Sequence, residues 1–463
     1  MKNLRFLTIC GATMLLVACT QDDVTTTASY EAYKAAQPTP IAFSTYMGEQ
    51  ATTRAEHTGA ITNTTDLQGS GVGFGVFAYY TGNKLYPSTE NGGENNASWG
   101  SGETALVPNF MYNQKVYYAS SWTYEPLKYW PNEFSGNSDN QSATGTNNSY
   151  LSFFAYAPYA SSSDISAAAN TGGITGMSAN DHNGDPTVTY TMASNTNNFV
   201  DLLWGVYNGT TMNVLGSGNS ADKVTGGKAN VNINLQKQKT GGSVGFMFKH
   251  ALAKLENITI DAFADVVRSN TNTSSNQINE TKITVKSVKI ESTSNLPTVG
   301  TLNLATGVWN NLTTSAAWSI EFTSTSSPTN GLNTSIAEPS NISNFSSLPN
   351  GVPGKSSDTN FNAPSIASNF PLIVFFPDQR PQFKVTVEYV VRTEDTALAK
   401  GYSEVTQKIS QTLQFANNFE MNKKYKIGIH LGLTSVKFTA SVDSWDSTAV
   451  GQEVDLPINV SSN

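Results

Sequence analysis

The sequence predicts an all-β protein made of β-sandwiches, and three observations support this fold class. Short runs in which apolar and polar residues alternate recur along the chain, separated by loops rich in Ser, Thr, Asn and Gly. No stretch carries the apolar spacing that a long helix needs. Hydrophobic residues make up 38% of the chain and charged residues only 13%, while aromatic residues reach 10%. This balance is typical of extracellular β-proteins with many short strands and long polar loops.

Length, charge and cysteine content limit the function classes. The 463 residues suffice for two or three domains. A net charge of −8 argues against nucleic acid as a partner, since such proteins carry a basic face. The only cysteines are Cys10 and Cys19, so the rest of the chain has no disulfide, and its stability must come from sheet pairing and packing.

Residues 1–18 predict a lipoprotein signal peptide. Lys2 and Arg5 supply the positive charge, and the apolar run at 6–17 is too short for a comfortable membrane span. The run ends in Leu-Val-Ala-Cys, which resembles a lipobox. We therefore expect Cys19 to be diacylated, and the signal peptidase for lipoproteins to cut on its N-terminal side. An ordinary signal peptide with an incidental cysteine is the alternative.

The segment 19–54 predicts a lipidated propeptide that contains the first strand. Ile41 and Phe43 alternate with small or polar residues, which predicts a strand at 40–47 with one buried face. A small, polar stretch then leads to Arg54, an exposed site for a trypsin-like, arginine-specific protease that would cut before Ala55. An uncut surface loop is the alternative.

Further strands are predicted along the rest of the chain. Gly71, Gly73 and Gly75 alternate with apolar residues, which predicts a strand with one bare face; a phosphate loop is disfavoured because no Lys-Ser/Thr pair follows. The run 244–263 predicts two strands around a bulge or short turn rather than one helix, since its second half is β-branched. The long, polar and proline-marked stretch 323–368 predicts a surface excursion or a mobile loop. Other strands are expected at 283–290, 301–304, 318–322, 371–376, 383–391, 402–413, 424–433 and 435–442.

Four phrases in the first 260 residues resemble a known family. They are W-T-Y-E-P-L-K-Y-W-P at 122–131, L-S-F-F-A-Y-A-P at 151–158, D-L-L-W at 201–204 and F-K-H-A-L-A-K-L at 248–255. Their combination resembles the fimbrillin family of the Bacteroidales, the subunits of type V pili and their relatives. The lipobox and Arg54 fit the same resemblance.

The residues in these phrases also have structural readings. The aromatic residues Trp122, Tyr124, Tyr129 and Trp130 favour a sheet-packing cluster over a carbohydrate-binding platform. His250 favours a hydrogen-bonded core or edge histidine, because the other histidines share no metal-ligand spacing with it. We expect no metal and no cofactor. An enzyme is disfavoured because no nucleophile motif, metal cluster or carboxylate pair is evident.

The resemblance implies two tandem transthyretin-like β-sandwich domains, which we expect at 55–240 and 241–463. The chain ends in a tail strand at 453–460 that alternates in the same way as the first strand. Its apolar residues form a candidate donor strand, with the last strand of its own domain as the alternative: Val454, Leu456, Ile458 and Val460. Pro457 lacks a backbone donor, so this strand belongs at a sheet edge.

The resemblance further implies assembly by strand exchange. Ile41 and Phe43 would fill a groove in the precursor, and cleavage after Arg54 would remove both this strand and the lipid on Cys19. A strand from another copy would then fill the groove. We therefore expect a stalk subunit, carried to the cell surface as an outer-membrane lipoprotein precursor and then built into an extracellular fimbrium with copies of itself and other pilus subunits. An uncleaved lipid-anchored pilus anchor or a glycan-binding surface lipoprotein is the alternative.

Overall fold

The computed structural model describes most of the chain between residues 40 and 461. The described residues are 40–47, 61, 63–82, 86, 106–131, 150–194, 198–207, 231–235, 243–263, 280–324, 331–354, 363–415, 417–432 and 435–445, together with the strand backbone of 454–455 and 458–461. The predicted lipidation site Cys19, the predicted cleavage site at Arg54 and Ala55, and Leu456 of the tail lie outside them.

Strands dominate the described residues. In chain order they are β1 Phe43–Tyr46, β2 Phe74–Gly82, β3 Met111–Tyr118, β4 Trp122–Thr123, β5 Tyr150–Ala157, β6 Gly173–Met177, β7 Thr187–Thr191, β8 Leu203–Tyr207, β9 Asn232–Leu235, β10 Val244–His250, β11 Ala253–Ala262, β12 Thr281–Ser292, β13 Leu296–Asn303, β14 Trp309–Ala316, β15 Ser319–Thr323, β16 Ile373–Phe375, β17 Gln382–Glu394, β18 Tyr402–Phe415, β19 Lys423–Leu431, β20 Val436–Ser444, β21 Val454–Asp455 and β22 Ile458–Ser461.

Among the described residues, two α-helices interrupt the strands, α1 at Thr64–Leu67 and α2 at Ser162–Thr171. The sequence reading missed α2, although a capping box marks its start: the Ser161 side chain accepts from the Asp164 N–H, and the Asp164 side chain accepts from the Ser161 N–H. In the part of the chain that the structure describes, no helix is long and apolar enough to cross a membrane.

The first sheet has the strand order β1-β10-β8-β5-β2-β3-β4, and β9 also pairs with β5. Both of its faces are covered, because successive residues of β2 point to opposite sides. Phe74 and Val76 belong to the hydrophobic cluster that includes β1, whereas Phe77 and Tyr79 belong to the main core. The main core also contains apolar residues of the four-stranded sheet β14-β13-β7-β6.

Two five-stranded sheets make up most of the C-terminal half, in the orders β16-β11-β19-β20-β21 and β15-β12-β17-β18-β22. Apolar side chains of both sheets, such as Ile258 and Ile427 from one and Val285 and Val387 from the other, share one buried cluster. Sheets that bury one face against each other form a β-sandwich. The all-β sandwich fold class predicted from the sequence is confirmed.

The predicted division at residues 240 and 241 stays a prediction, but sheet pairing departs from it in two places. β10 lies in the first sheet between β1 and β8, so the chain changes sheet at the turn after His250. β10 joins that sheet because its apolar face, with Phe246 and Phe248, completes the cluster around β1. In addition, β7 pairs with β13, which joins strands from the two predicted domains.

Two local predictions were wrong. Gly71 and Gly73 have φ angles of 84° and 57°, so they form the turn before β2 rather than a strand with a bare face. The stretch 323–368 is more than a surface excursion, because Leu332, Ile336 and Val352 are buried. The Val285 N–H donates to the Ile336 carbonyl at 2.8 Å, which fastens this segment to β12. The apolar residues of this stretch are scattered among many polar ones, so its sequence shows no alternating pattern.

Candidate functional site: the groove filled by the first strand

β1 closes a gap between the two edges of the first sheet. On one side it runs parallel to β10, with Phe43 opposite Val244, and the Val244 N–H donates to the Ala42 carbonyl at 2.8 Å. On the other side the Ile41 N–H donates to the Lys128 carbonyl at 2.9 Å, in the segment that follows β4. Without β1, both edges would present unpaired backbone groups and apolar surface.

Phe43 lies in a pocket built from four aromatic rings. Its ring centroid is 6.1 Å from that of Phe246, 6.2 Å from Phe74, 6.0 Å from Phe153 and 5.3 Å from Tyr124. Ile41 and Met47 are buried at either side of Phe43 along the strand. Each such side chain contributes about 1.5–3 kcal/mol when it leaves water. The structure therefore brings the predicted strand residues Ile41 and Phe43 together in one apolar groove.

Tyr124 ties the strand to the far edge of the groove. Its hydroxyl donates to the Ile41 carbonyl at 3.0 Å and accepts from the Lys128 N–H at 3.3 Å. Burial raises the pKa of Tyr124 to about 12, although the hydrogen bond with the Lys128 backbone acts in the opposite direction. The phenol is therefore protonated and able to donate over the physiological pH range.

The strand fits the groove imperfectly at Thr45. This residue continues the inward face of Ile41 and Phe43, and its Oγ1 atom is buried with no hydrogen-bond partner within the described structure. A buried hydroxyl without a partner costs about 1–3 kcal/mol. On the outward face, the Ser44 hydroxyl is 2.8 Å from that of Ser243, and Tyr46 is 51% exposed. The strand is thus held firmly at its centre and less well towards its end.

The predicted aromatic cluster divides into core and surface. Tyr124 and Trp130 are buried in the groove cluster, and Trp122 packs against Phe74 with centroids 5.1 Å apart. Tyr129, in contrast, is 47% exposed. The sheet-packing reading is confirmed for the buried members of the cluster and is wrong for Tyr129.

The tail strands pair at the edges of two different sheets of the C-terminal half. Val454 of β21 is opposite Val442 of β20, and Val460 of β22 is opposite Leu413 of β18. Ile458 is opposite Phe415 in the same ladder. In this state the tail is paired with its own subunit, and the groove around Phe43 holds β1. The candidate donor residues and the candidate groove therefore lie at separate places on the molecule.

The surroundings of His250 match the reading of a hydrogen-bonded core histidine. Its Nδ1 atom is 2.9 Å from Asp201 Oδ1, and both side chains are almost fully buried. Among the described residues, no group of three His, Cys, Asp or Glu side chains has an arrangement that could hold a metal ion. Sequence reasoning found each of these two residues but gave no signal that they touch.

Comparison with known proteins points to fimbriae. No family model matches the chain. It is 27% identical over 251 residues to the fimbrium subunit Fim1C of Phocaeicola vulgatus, an alignment that spans 54% of this chain and 49% of that protein. The chain thus spans about half the length of this curated relative.

Structural comparison extends the likeness to the whole fold. The crystal structure of a fimbrial protein from Bacteroides vulgatus matches with a TM-score of 0.56 at 20% identity, covering 88% of this chain and 99% of that one. At this identity the match establishes the fold. The sequence relative, a fimbrium subunit, is of the kind that the four phrases suggested. The resemblance to the fimbrillin family is confirmed.

Proposed function

We propose that this protein is a stalk subunit of a cell-surface type V pilus, exported as a lipoprotein, cut after Arg54 and polymerised by strand exchange. The observation that carries the proposal is the position of β1, which closes the gap between β10 and the segment after β4. The named relative, a fimbrium subunit, supports assembly with other subunits. The predicted cut lies between β1 and the next described residue, Ile61.

Removal of β1 would leave an open groove. Phe74, Phe153 and Phe246 would lose the ring that now packs against all three. The Val244 N–H and the Lys128 carbonyl would lose their backbone partners. A strand with apolar residues at alternate positions satisfies both needs at once, because its backbone pairs while its side chains fill the pocket. The unsatisfied Thr45 hydroxyl supports the view that a replacement strand can bind better than β1 does.

The tail supplies a suitable strand. Val454, Leu456, Ile458 and Val460 alternate with the same period as Ile41 and Phe43. Since groove and tail lie apart on the subunit, exchange between copies makes a head-to-tail contact that repeats without closing. The precursor stays monomeric in this scheme, because β1 occupies the groove and the tail pairs with its own sheets.

Two other roles remain as the alternative proposal: a lipid-anchored pilus anchor that keeps β1, or a surface lipoprotein that binds glycans. Exposed aromatic side chains at Tyr46 and Tyr129 favour the glycan-binding role, because sugar rings stack on such surfaces. Both roles predict a protein that still carries residues 20–54 and the acyl chains on Cys19.

N-terminal sequencing and intact mass of the protein sheared from cells test the proposal. We expect chains that begin at Ala55 within polymers that survive mild denaturant. An Arg54→Ala variant should remain acylated, uncut and monomeric. A wild-type protein that begins at acylated Cys19 and stays monomeric in membrane fractions would contradict the removal of β1. It would favour the anchor role or the glycan-binding role instead.

A further inference from the structure

Two of the family phrases meet in the interior of the protein. Asp201 opens the phrase D-L-L-W just before β8, and His250 ends β10 in the phrase F-K-H-A-L-A-K-L. The Asp201 carboxylate accepts the Ile61 N–H at 2.8 Å through Oδ2, while its Oδ1 is 2.9 Å from His250 Nδ1. This carboxylate therefore joins His250 to Ile61, the first described residue after the predicted cleavage site.

The opposite side of this contact belongs to the C-terminal half. The His250 ring stacks on the Trp445 indole with centroids 3.8 Å apart and planes inclined by only 5°. The Lys254 ammonium lies 5.3 Å from the same indole. Trp445 directly follows β20 and is the last described residue before the tail strands. A histidine of the first sheet therefore packs against Trp445, the residue from which the chain continues into the tail strands.

Asn422 links β10 and Trp445 through its side chain and its own backbone. Its side-chain oxygen accepts the His250 N–H at 3.3 Å, its N–H donates to the Leu252 carbonyl at 3.2 Å, and its carbonyl accepts the Trp445 N–H at 2.9 Å. Asn422 has a φ of 61°, a conformation that asparagine tolerates better than most residues. One residue in the turn before β19 therefore connects the turn after β10 to the start of the tail.

The geometry points to a positioning role: we infer that His250, Asn422 and Trp445 form a joint that fixes where the tail leaves the subunit relative to the groove. β10 contributes Phe246 to the groove and carries His250 at its end. The same strand therefore contacts both β1 in the groove and Trp445 at the start of the tail. The use of the tail as a donor rests on the proposed function, but the joint itself is a property of the single precursor.

The packing argues that the joint does more than fill space. Trp445 is 7% exposed, yet its indole Nε1 is buried without a hydrogen-bond partner in the described structure. A core position free of other demands would be better served by a side chain with no polar atom. The flat ring is what the stack on His250 requires.

Hydrogen exchange on the uncut precursor tests the joint. In Trp445→Ala we expect faster exchange, by up to about tenfold, in peptides covering the tail strands and the end of β18 that pairs with them, because one stacked aromatic contact is lost. Peptides covering β1 should be unchanged. Trp445→Phe, which keeps a stacked ring, should restore slow exchange. If Trp445→Ala does not accumulate, Trp445→Leu removes the ring while keeping an apolar side chain.

Trp130→Ala is the matched control. Trp130 is also a buried tryptophan, 5% exposed, whose Nε1 has no partner in the described residues, but it packs in the groove cluster. Its loss should speed exchange of β1 and leave the tail unchanged. The inference is overturned if Trp445→Ala leaves tail exchange unchanged, or if it raises exchange of β1 equally. Since no cleavage or polymer is needed, these results are independent of whether the protein forms pili.

Discussion

Phe43 stacks on Phe246 of the neighbouring strand, with their planes inclined by 23°, whereas its contacts with Phe74 and Phe153 are edge-to-face at 88° and 79°. These rings come from β10, β2 and β5, so a single side chain of β1 holds three strands of the first sheet together. Edge-to-face and offset stacked rings add about 0.5–1.5 kcal/mol per pair to the burial of their area.

Truncation of Phe43 should therefore weaken the precursor strongly. We expect Phe43→Ala to lower the free energy of unfolding by about 3–5 kcal/mol, the usual cost of removing a buried phenylalanine ring. Urea unfolding of the uncut precursor, followed by tryptophan fluorescence, measures the change. Trp130, in the segment after β4, has its ring centroid 5.9 Å from that of Phe153 in the first sheet, so its fluorescence reports on this region.

Tyr46→Ala provides the comparison within the same strand. Tyr46 is 51% exposed, so its removal should change the free energy of unfolding by no more than about 0.5 kcal/mol. Equal effects of the two substitutions would mean that β1 contributes through its backbone alone, and that the aromatic pocket plays no part in holding the strand.

Removal of β1 should expose an apolar groove that accepts a strand in trans. In a variant with a specific protease site in place of residues 50–54, cleavage should increase the fluorescence of a dye that binds apolar surface. A synthetic peptide of residues 40–47 should reverse the increase, because it restores both the ladder with β10 and the ring of Phe43. The same peptide with alanine in place of Phe43 should fail. A cut protein that binds no dye would show that the groove collapses or that β1 stays bound.

Much of this groove was predictable from the sequence, and much of the joint was not. Alternation in 40–47 and 244–250 identified β1 and β10, since a period of two residues is a local property of the chain. Their pairing across about 200 residues left no local signal. The same holds for Asp201 and His250, and for the stack of His250 on Trp445, which depend on the fold rather than on spacing.

Glycines show where local reading misleads. Gly73 and Gly75 look alike in an alternating run, but Gly73 adopts a φ of 57° and Gly75 lies within β2. What distinguishes them is their neighbours: a Cβ on Gly73 would lie 2.3 Å from the Val116 carbonyl oxygen, and a Cβ on Gly75 would lie 2.3 Å from the Tyr156 ring. Such close approaches are invisible before the strands are assembled.

Gly73→Ala should consequently destabilise the protein more than Gly82→Ala does. Both positions have a positive φ, at 57° and 59°, which costs a residue with a Cβ about 1–2 kcal/mol. Only Gly73 adds a clash with backbone, because nothing lies within 4 Å of a Cβ on Gly82. Thermal unfolding of the two variants separates the cost of the positive φ angle, which both share, from the cost of the clash with the Val116 backbone, which only Gly73→Ala has. A Gly73→Ala protein as stable as Gly82→Ala would show that β3 moves aside at little cost.

Glu338 should make stability depend on pH through its contact with Arg392. Arg392 Nη2 lies 2.6 Å from Glu338 Oε1, and the arginine side chain is only 4% exposed. Burial alone would raise the pKa of Glu338, but hydrogen bonds from Arg392 and Thr284 outweigh it and lower the pKa below 4.5. A carboxyl with a lowered pKa in the folded state stabilises the protein above its unfolded pKa, and this stabilisation is lost as the pH falls through the folded value.

The Glu338→Gln variant should lose about 1.5–3 kcal/mol of unfolding free energy at neutral pH, the usual contribution of a hydrogen bond to a charged group. The difference in unfolding free energy between wild type and variant should narrow as the pH falls from about 4.5, near the pKa of the unfolded carboxyl, through the lower pKa of the folded state, because the wild-type carboxyl is neutral in both states only below both values. Urea unfolding of both proteins at several pH values measures this difference. Glu291→Gln is the control, because its contact with Lys289 lies at the surface and should leave the pH profile nearly unchanged. A difference in unfolding free energy that stays constant from pH 7 to pH 3 would mean that Glu338 stabilises the protein through its packing on β12 and β17, and that its charge contributes nothing.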